Sequence, residues 1–148
     1  IHKFRWVPHL TGRRFEHGVT DCYTLFRDAY HLAGIEMPDF HREDDWWRNG
    51  QNLYLDNLEA TGLYQVALSS AQPGDVLLCC FGSSVPNHAA IYCGDGELLH
   101  HIPEQLSKRE RYTDKWQRRT HSLWRHRAWH ASAFTGIYND LAAASTFE

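Results

Sequence analysis

Long apolar runs are absent from this 148-residue sequence: none approaches the ~20 residues needed to cross a bilayer, so we expect no membrane insertion. The chain also lacks the basic and then apolar opening that is typical of a signal peptide. It begins with Ile1 rather than methionine. We therefore expect one domain over residues 1–148 that was cut from a longer chain with a further N-terminal domain.

Cysteine is scarce, and four cysteines do not make a disulfide framework in a chain of this length. The 11 histidines bring zinc into consideration. The sequence has neither Cys-x-x-Cys nor His-Glu-x-x-His spacing, so we expect no metal and no other cofactor.

A large excess of one charge is also lacking, since the net charge is −3. The segment from Lys108 to Arg127 nevertheless contains eight Lys and Arg residues. Such a basic segment is most often a solvated face and less often a docking surface for an acidic partner. Because no nucleic-acid-binding motif accompanies it, we expect no nucleic-acid partner.

Hydrophobic residues make up 43% of the chain and aromatic residues 14%, which is typical of a globular domain with one core. Apolar residues recur at helical spacing after Thr20 and Asp21, either of which is a good N-cap, and Gly34 is placed to end that helix. A short helix is expected over about 51–60. After a turn at Pro73, short apolar runs rich in β-forming residues alternate with turn residues. This order predicts an α+β fold with segregated elements.

Cys22 lies in the first turn of the predicted N-terminal helix, on its apolar face. The helix dipole and the unpaired N–H groups at a helix N-terminus lower the pKa of a cysteine and favour the nucleophilic thiolate. Free cysteine is also among the most often buried residue types, so core packing is the first interpretation of Cys22 taken alone. A nucleophilic role requires a neighbouring histidine.

Two histidines bracket a predicted β-hairpin: His88 begins the run before the turn at residues 94–96, and His100 ends the run after it. A two-residue turn would place them on opposite faces of the hairpin. A three-residue turn places Ala90 opposite His100 and both imidazoles on one face, within reach of a hydrogen bond. His101 would then point away.

Three segments occur in order along the chain: TDC at the start of the helix, PGDVLL at the first strand after the turn, and HAAIYCGDGELLH over the hairpin. Together they resemble the NlpC/P60 family of papain-like cysteine peptidases. Longer segments are similar to a subgroup of that family found in phage tail tips, and this likeness covers nearly the whole chain. They are FEHGVTDCYTLFRDAY, DDWWRNGQNLYLDNL, NHAAIYCGDGELLHH and LWRHRAW.

The resemblance implies a papain-like fold, in which N-terminal helices pack on a central antiparallel sheet and the catalytic cysteine starts a helix. It implies that Cys22 is the nucleophile, His88 the base and acid, and His100 the residue that fixes the tautomer of His88. It also implies cleavage of peptidoglycan stem peptides, typically between D-glutamate and a diamino acid.

The sequence departs from the family pattern in two places. Tyr23 follows the Asp-Cys pair where the family most often has serine, and we expect it to narrow or reshape the substrate groove. The family often has a tyrosine upstream of the cysteine that donates to the oxyanion. Here Phe15 takes the comparable position and cannot donate, so His17 is our candidate donor, beside the backbone N–H of Cys22.

Two further residues are candidates for substrate contact. Asp21 is expected mainly to cap the helix, with a second role at the amine side of the substrate. Trp46 belongs to an acidic, aromatic segment, with Trp47 and Tyr54, that would wall the groove. Core packing is the alternative, and it is the favoured one for Trp47 and Tyr54.

Our leading hypothesis is a cysteine endopeptidase that acts on peptidoglycan stem peptides as part of a phage tail tip, alongside other phage tail proteins. The resemblance implies a protein present in the host cytoplasm during assembly and then in the virion tail tip, acting in the bacterial periplasm. Two alternatives stay open: a non-catalytic assembly or binding module on a peptidase fold, and a wall-degrading toxin domain of a larger effector.

Overall fold

The structure is a computed structural model, and it describes residues 6–42, 46, 52–129 and 134–145. Trp47 lies outside these residues. Within them are four α-helices and six β-strands. The helices are α1 (Cys22–Leu32), α2 (Leu53–Leu58), α3 (Asp114–Gln117) and α4 (Phe134–Ser145). The strands are β1 (Leu63–Val66), β2 (Val76–Cys79), β3 (His88–Gly94), β4 (Glu97–His100), β5 (Lys108–Arg111) and β6 (Thr120–His126).

The six strands form one sheet in the order β1-β6-β2-β3-β4-β5, and all neighbouring strands are antiparallel. The expected α+β class, with a helix followed by an antiparallel sheet, is confirmed. The edge strand β5 was not predicted, because its sequence KRER has no apolar residue and gives no alternation to detect. Among the described residues, none of the helices is long and apolar enough to span a membrane.

Helix α1 begins at the capping residue that the sequence predicts. The Asp21 side chain accepts a hydrogen bond from the backbone N–H of Thr24, which satisfies one of the free amides of the first turn. After the helix, Gly34 adopts a φ of +84°, a conformation that favours glycine and ends the helix. Helix α1 packs against β3, β4 and α4. Its buried apolar residues include Leu25, Phe26, Ala29 and Tyr30.

The hairpin of β3 and β4 has the predicted register but a different turn. Ile91 pairs with Leu99, so Ala90 lies opposite His100 as expected. The turn itself has only two residues, 95 and 96, and the pairing shifts by one residue at Cys93. This β-bulge adds the odd residue that a three-residue turn would have supplied, and it keeps both histidines on one face.

The two faces of the sheet support two separate apolar clusters, because successive side chains of a strand point to opposite sides. The larger cluster joins α1 to the residues Val76, Leu78, Ala89, Ile91, Leu99 and Trp124. The smaller cluster lies on the opposite face and consists of Leu77, Cys79, Ala90, Leu98, Ile102, Trp116 and Leu123. We call these the α1 face and the α3 face of the sheet.

Candidate active site

A cavity of about 520 Å³ opens where the start of α1 meets the start of β3. Five of the seven residues predicted for the site line it: His17, Asp21, Cys22, Trp46 and His88. The sequence analysis therefore brought together residues from three separate parts of the chain. His100 lies behind His88, and Tyr23 lies in the core.

Cys22 is the first residue of α1 and is partly exposed. Its Sγ atom lies 2.9 Å from the hydroxyl oxygen of Tyr54. Burial, followed by the negative charge of Asp21, raises the pKa of the Cys22 thiol to about 11, although Tyr54 and the backbone N–H of Ala89 act in the opposite direction. The lowered pKa expected from the helix N-terminus is not found, because burial, the largest cause, raises the pKa of this thiol.

The two predicted histidines are hydrogen-bonded to each other. His88 and His100 are both buried, and His88 Nε2 lies 2.9 Å from His100 Nδ1. The expectation that they share one face within hydrogen-bonding distance is confirmed. The remaining nitrogen of His100, Nε2, lies 2.6 Å from Oε1 of Glu110 on β5. Glu110 was not predicted, because it lies in the strand that gave no sequence signal.

Both imidazoles are favoured in the neutral form. Burial, and then the charges of His100 and His101, lower the pKa of His88 well below its ordinary value, against a smaller opposing effect of Glu110. Burial, followed by the charges of Lys108 and Lys115, lowers the pKa of His100. A neutral imidazole has one N–H donor and one acceptor nitrogen, so this pair can act as a base and a hydrogen-bond donor in series.

Trp116 of α3 packs against both imidazoles. Its ring centre lies 5.5 Å from that of His88 and 4.7 Å from that of His100, with an edge-on arrangement at His100. Phe81, which also lines the cavity, stacks on the indole at 6.0 Å. The basic segment expected to be a solvated face thus supplies the aromatic residue that holds the two histidines in place.

Asp21 is fully engaged by the protein. Its carboxylate accepts hydrogen bonds from Arg42 at 2.7 and 2.9 Å and from the backbone N–H groups of Gly18 and Thr24 at 2.9 and 3.0 Å. Burial alone would raise the pKa of Asp21, but the hydrogen bonds and charge of Arg42 hold it below its ordinary value. Capping is confirmed, whereas the second role at a substrate amine stays a prediction that would require breaking one of these bonds.

Tyr23 does not contact the cavity. It is 1% exposed, its hydroxyl donates to the carbonyl of Pro38, and its ring packs against Phe40. The expectation that Tyr23 reshapes the groove is wrong. Each residue of a helix is rotated by about 100° from the one before, so the residue after Cys22 turns into the core.

His17 lines the cavity, and its Nε2 lies 3.1 Å from the carbonyl oxygen of Arg42. A carbonyl can only accept, so this nitrogen carries the hydrogen and donates it to the backbone. Tyr54, by contrast, is buried with its hydroxyl at the sulfur. Tyr54 therefore lies at the sulfur whereas this nitrogen of His17 is bound to the backbone, and the assignment of His17 as an oxyanion donor stays a prediction.

His101 lines the cavity instead of pointing away. Strand β4 ends at His100, so the strand alternation used to predict the direction of His101 no longer applies to it. His101 is buried, its Nε2 donates to the carbonyl of Gln105 at 3.0 Å, and its ring meets that of Phe15 edge-on. Trp46 is buried in the cavity wall at 5.8 Å from the Tyr54 ring, which combines the two interpretations considered for it.

The sequence profile of the NlpC/P60 family matches residues 10–125 of this chain. The chain is also 97% identical over 147 residues to the tail tip assembly protein K of Escherichia phage lambda. The aligned region covers 99% of this chain and 74% of that protein. It is 39% identical over 83 residues to a probable endopeptidase of Mycobacterium tuberculosis, which covers 56% of this chain and 17% of that protein.

Among solved structures, an NlpC/P60 family protein from Bacillus cereus is similar to this fold with a TM-score of 0.52. The two share 20% sequence identity over 72% of this chain and 31% of that one, so the likeness concerns the fold alone. These comparisons, with the match to the family profile, show that the chain belongs to the NlpC/P60 family. The resemblance noted in the sequence is confirmed.

Proposed function

We propose that this domain is a cysteine peptidase with Cys22 as nucleophile and His88 as general base and acid. The observation that carries the proposal is the hydrogen-bonded pair of buried imidazoles, His88 and His100, in the wall of the cavity that contains the cysteine. A buried imidazole pair is costly unless each nitrogen has a partner, and a cysteine beside it completes the set of groups that acyl transfer needs.

The first chemical step begins from a neutral thiol and a neutral imidazole. His88 uses Nε2 toward His100, so Nδ1 is the nitrogen left to take the proton from Cys22 Sγ. The thiolate then forms a bond to the carbonyl carbon of the scissile amide, and the carbonyl electron pair moves to oxygen. The Tyr54 hydroxyl, which lies against the sulfur, and the backbone N–H of Cys22 are the donors for that oxyanion.

The second half of the reaction returns the proton. As the C–N bond breaks, the leaving amine takes the proton from His88 Nδ1, and the acyl group stays on the sulfur as a thioester. A water molecule then gives a proton to His88 and attacks the thioester carbonyl. The C–S bond then breaks, the carboxylic acid product leaves, and the proton on His88 Nδ1 passes back to the sulfur. Because burial raises the pKa of the Cys22 thiol, the thiol needs a base to form the thiolate.

We infer that the substrate is the peptidoglycan stem peptide, cut between D-glutamate and the diamino acid. Family membership and the endopeptidase name of the mycobacterial relative support this substrate class. The name of the phage lambda relative supports a role within a tail tip, beside other tail proteins, during assembly or wall penetration. On this proposal, the domain is a virion component that reaches its substrate in the periplasm.

One observation favours a second candidate, an assembly module that does not catalyse. The raised pKa of Cys22 and its hydrogen bond to Tyr54 describe a protonated thiol with a partner of its own. A module that only binds other tail proteins would have no need to activate this thiol. The complete Cys22–His88–His100 set supports the peptidase more strongly.

The test is digestion of purified muropeptides, analysed by mass spectrometry, with the wild-type chain and with Cys22→Ala. Cys80→Ala is the matched control, since Cys80 is partly exposed and does not line the cavity. We expect cleavage by the wild type and by the Cys80 variant only. Equal cleavage by Cys22→Ala removes the nucleophile assignment, and no cleavage by any of the three supports the assembly module.

A further inference from the structure

We propose that Glu110 is a positioning residue that fixes the tautomers of His100 and His88 and so directs an unprotonated nitrogen of His88 toward the cysteine. The inference rests on the proposed function and adds a fourth residue to the proposed Cys22, His88 and His100. It assigns a defined task to one residue of the basic segment, whose role the sequence left open.

The pairing of β4 with β5 explains how Glu110 reaches His100. Lys108 lies directly opposite His100, and Glu110 lies opposite Leu98, two residues away along the same face. Diagonal neighbours across an antiparallel pair are within reach of long side chains. Glu110 Oε1 is 2.6 Å from His100 Nε2, whereas its other oxygen is 3.6 Å from Lys108 Nζ. The shorter contact is to the imidazole, so Glu110 is more than one half of a surface ion pair.

The direction of the hydrogen-bond series follows from the chemistry of the carboxylate. An ionised carboxylate can only accept, so His100 Nε2 must carry the hydrogen. In a neutral ring the other nitrogen of His100, Nδ1, is then an acceptor. It accepts a hydrogen bond from the N–H at His88 Nε2. In turn His88 Nδ1 has a free electron pair. If the hydrogen bonds ran in the reverse direction, His88 would carry its hydrogen on Nδ1. It could then not remove the thiol proton of Cys22.

Positively charged groups surround the imidazole pair, so a negative charge beside the pair is needed to help it accept a proton. His100 is buried, and the cations Lys108 and Lys115 disfavour its protonation. Arg119 lies over the Trp116 ring, at 5.2 Å from its centre, and adds positive charge on the α3 side. His101 acts in the same direction on His88. Glu110 is the acidic group in direct contact with this imidazole pair among the described residues, and it would stabilise the imidazolium formed when His88 accepts a proton.

The experiment compares the wild-type chain with Glu110→Gln and Glu110→Leu, with Glu97→Gln as the matched control. Glu97 lies on the neighbouring strand β4 and does not line the cavity. The glutamine substitution keeps an acceptor but loses the charge, and the amide can also donate in the reverse direction. The leucine substitution removes the acceptor. Two readouts are needed: kcat and KM on muropeptides, and the histidine tautomers from two-bond proton–nitrogen NMR spectra followed over a pH titration.

We expect Glu110→Leu to lower kcat by about 10- to 100-fold with little change in KM, the range seen when the partner that orients a histidine is removed at metal sites. We expect Glu110→Gln to lie between it and the wild type. In the spectra, His88 and His100 should lose their single Nε2–H form, and their titration should move to lower pH because a carboxylate that favours the imidazolium is gone.

The proposal is overturned if Glu110→Leu keeps both the wild-type tautomers and kcat within about twofold. An equal loss of kcat in Glu97→Gln would also overturn it, because the effect would then belong to any acid-to-amide change nearby. Should the wild type cleave no muropeptide, the proposed function fails, and the spectra alone decide the role of Glu110: unchanged tautomers refute it, and altered tautomers support it.

Discussion

The α1 face and the α3 face of the sheet differ in the residues that pack on them. On the α1 face a helix lies along the sheet, and the residues between them are apolar and buried. On the α3 face the apolar cluster is smaller, and the imidazoles of His88 and His100 pack against its Trp116. One strand serves both faces: Leu77 of β2 belongs to the α3 face, and its neighbour Leu78 belongs to the α1 face. The comparison indicates that the two faces supply different groups to the cavity: Cys22 and Tyr54 pack with the α1-face cluster, and His88 packs against Trp116 on the α3 face.

The largest effect should come from replacing His88, the proposed base on the α3 face. We expect His88→Gln to lower muropeptide cleavage by about 10³-fold, within the range for loss of a general acid–base residue. The midpoint of thermal unfolding should change little, since glutamine keeps one donor and one acceptor in the same place. Comparable losses of activity and of stability would contradict this prediction, because His88 would then also stabilise the fold.

A pair of substitutions in β2, one on each face, tests whether the two faces affect activity differently. Leu77 and Leu78 are each at most 1% exposed, so alanine at either position should reduce the free energy of unfolding by about 2–5 kcal/mol. Leu77→Ala should lower the kcat of the folded protein by more than Leu78→Ala, because Leu77 packs in the cluster of Trp116, which contacts both imidazoles. Urea denaturation gives the stability, and steady-state cleavage gives kcat. An equal kcat in the two variants would contradict the comparison.

The hydroxyl of Tyr54 lies against the sulfur of Cys22, the proposed nucleophile. We expect Tyr54→Phe to lower kcat by about 10²-fold, the lower end of the range for an oxyanion donor. The pKa of Cys22 should rise further, since the hydrogen bond from Tyr54 lowers it. Alkylation of Cys22, followed peptide by peptide, measures that pKa. A variant with wild-type kcat would return the oxyanion role to His17.

The smallest effect is a dependence of stability on pH that arises on the α3 face. His88 and His100 have lowered pKa values in the folded protein, so the unfolded chain binds more protons below about pH 6.5. Their stabilising contribution is complete above that pH and is lost as the pH falls toward the folded pKa. We expect a loss of up to about 1.4 kcal/mol per pH unit for each histidine. His100→Gln should make the curve shallower, and an unchanged slope would argue against a neutral, buried pair.

Much of the fold was accessible from local patterns. The cap at Asp21, the apolar spacing of α1 and the glycine at residue 34 are all neighbours in sequence, so propensity and periodicity suffice to predict the helix. The hairpin register was also correct, although a bulge at Cys93 and not a longer turn produced it. The charged edge strand β5 was missed because cross-strand partners, and not apolar alternation, hold it in the sheet.

By itself, the sequence determined that a cysteine starts a helix and that two histidines share one face of a hairpin, because those relations depend on residue spacing in single elements. Only the tertiary structure decided that Tyr54 meets the sulfur and that Glu110 meets His100. It also decided that burial raises the pKa of the Cys22 thiol. Those properties depend on contacts between distant segments and on the loss of water around buried groups, and no local pattern encodes either.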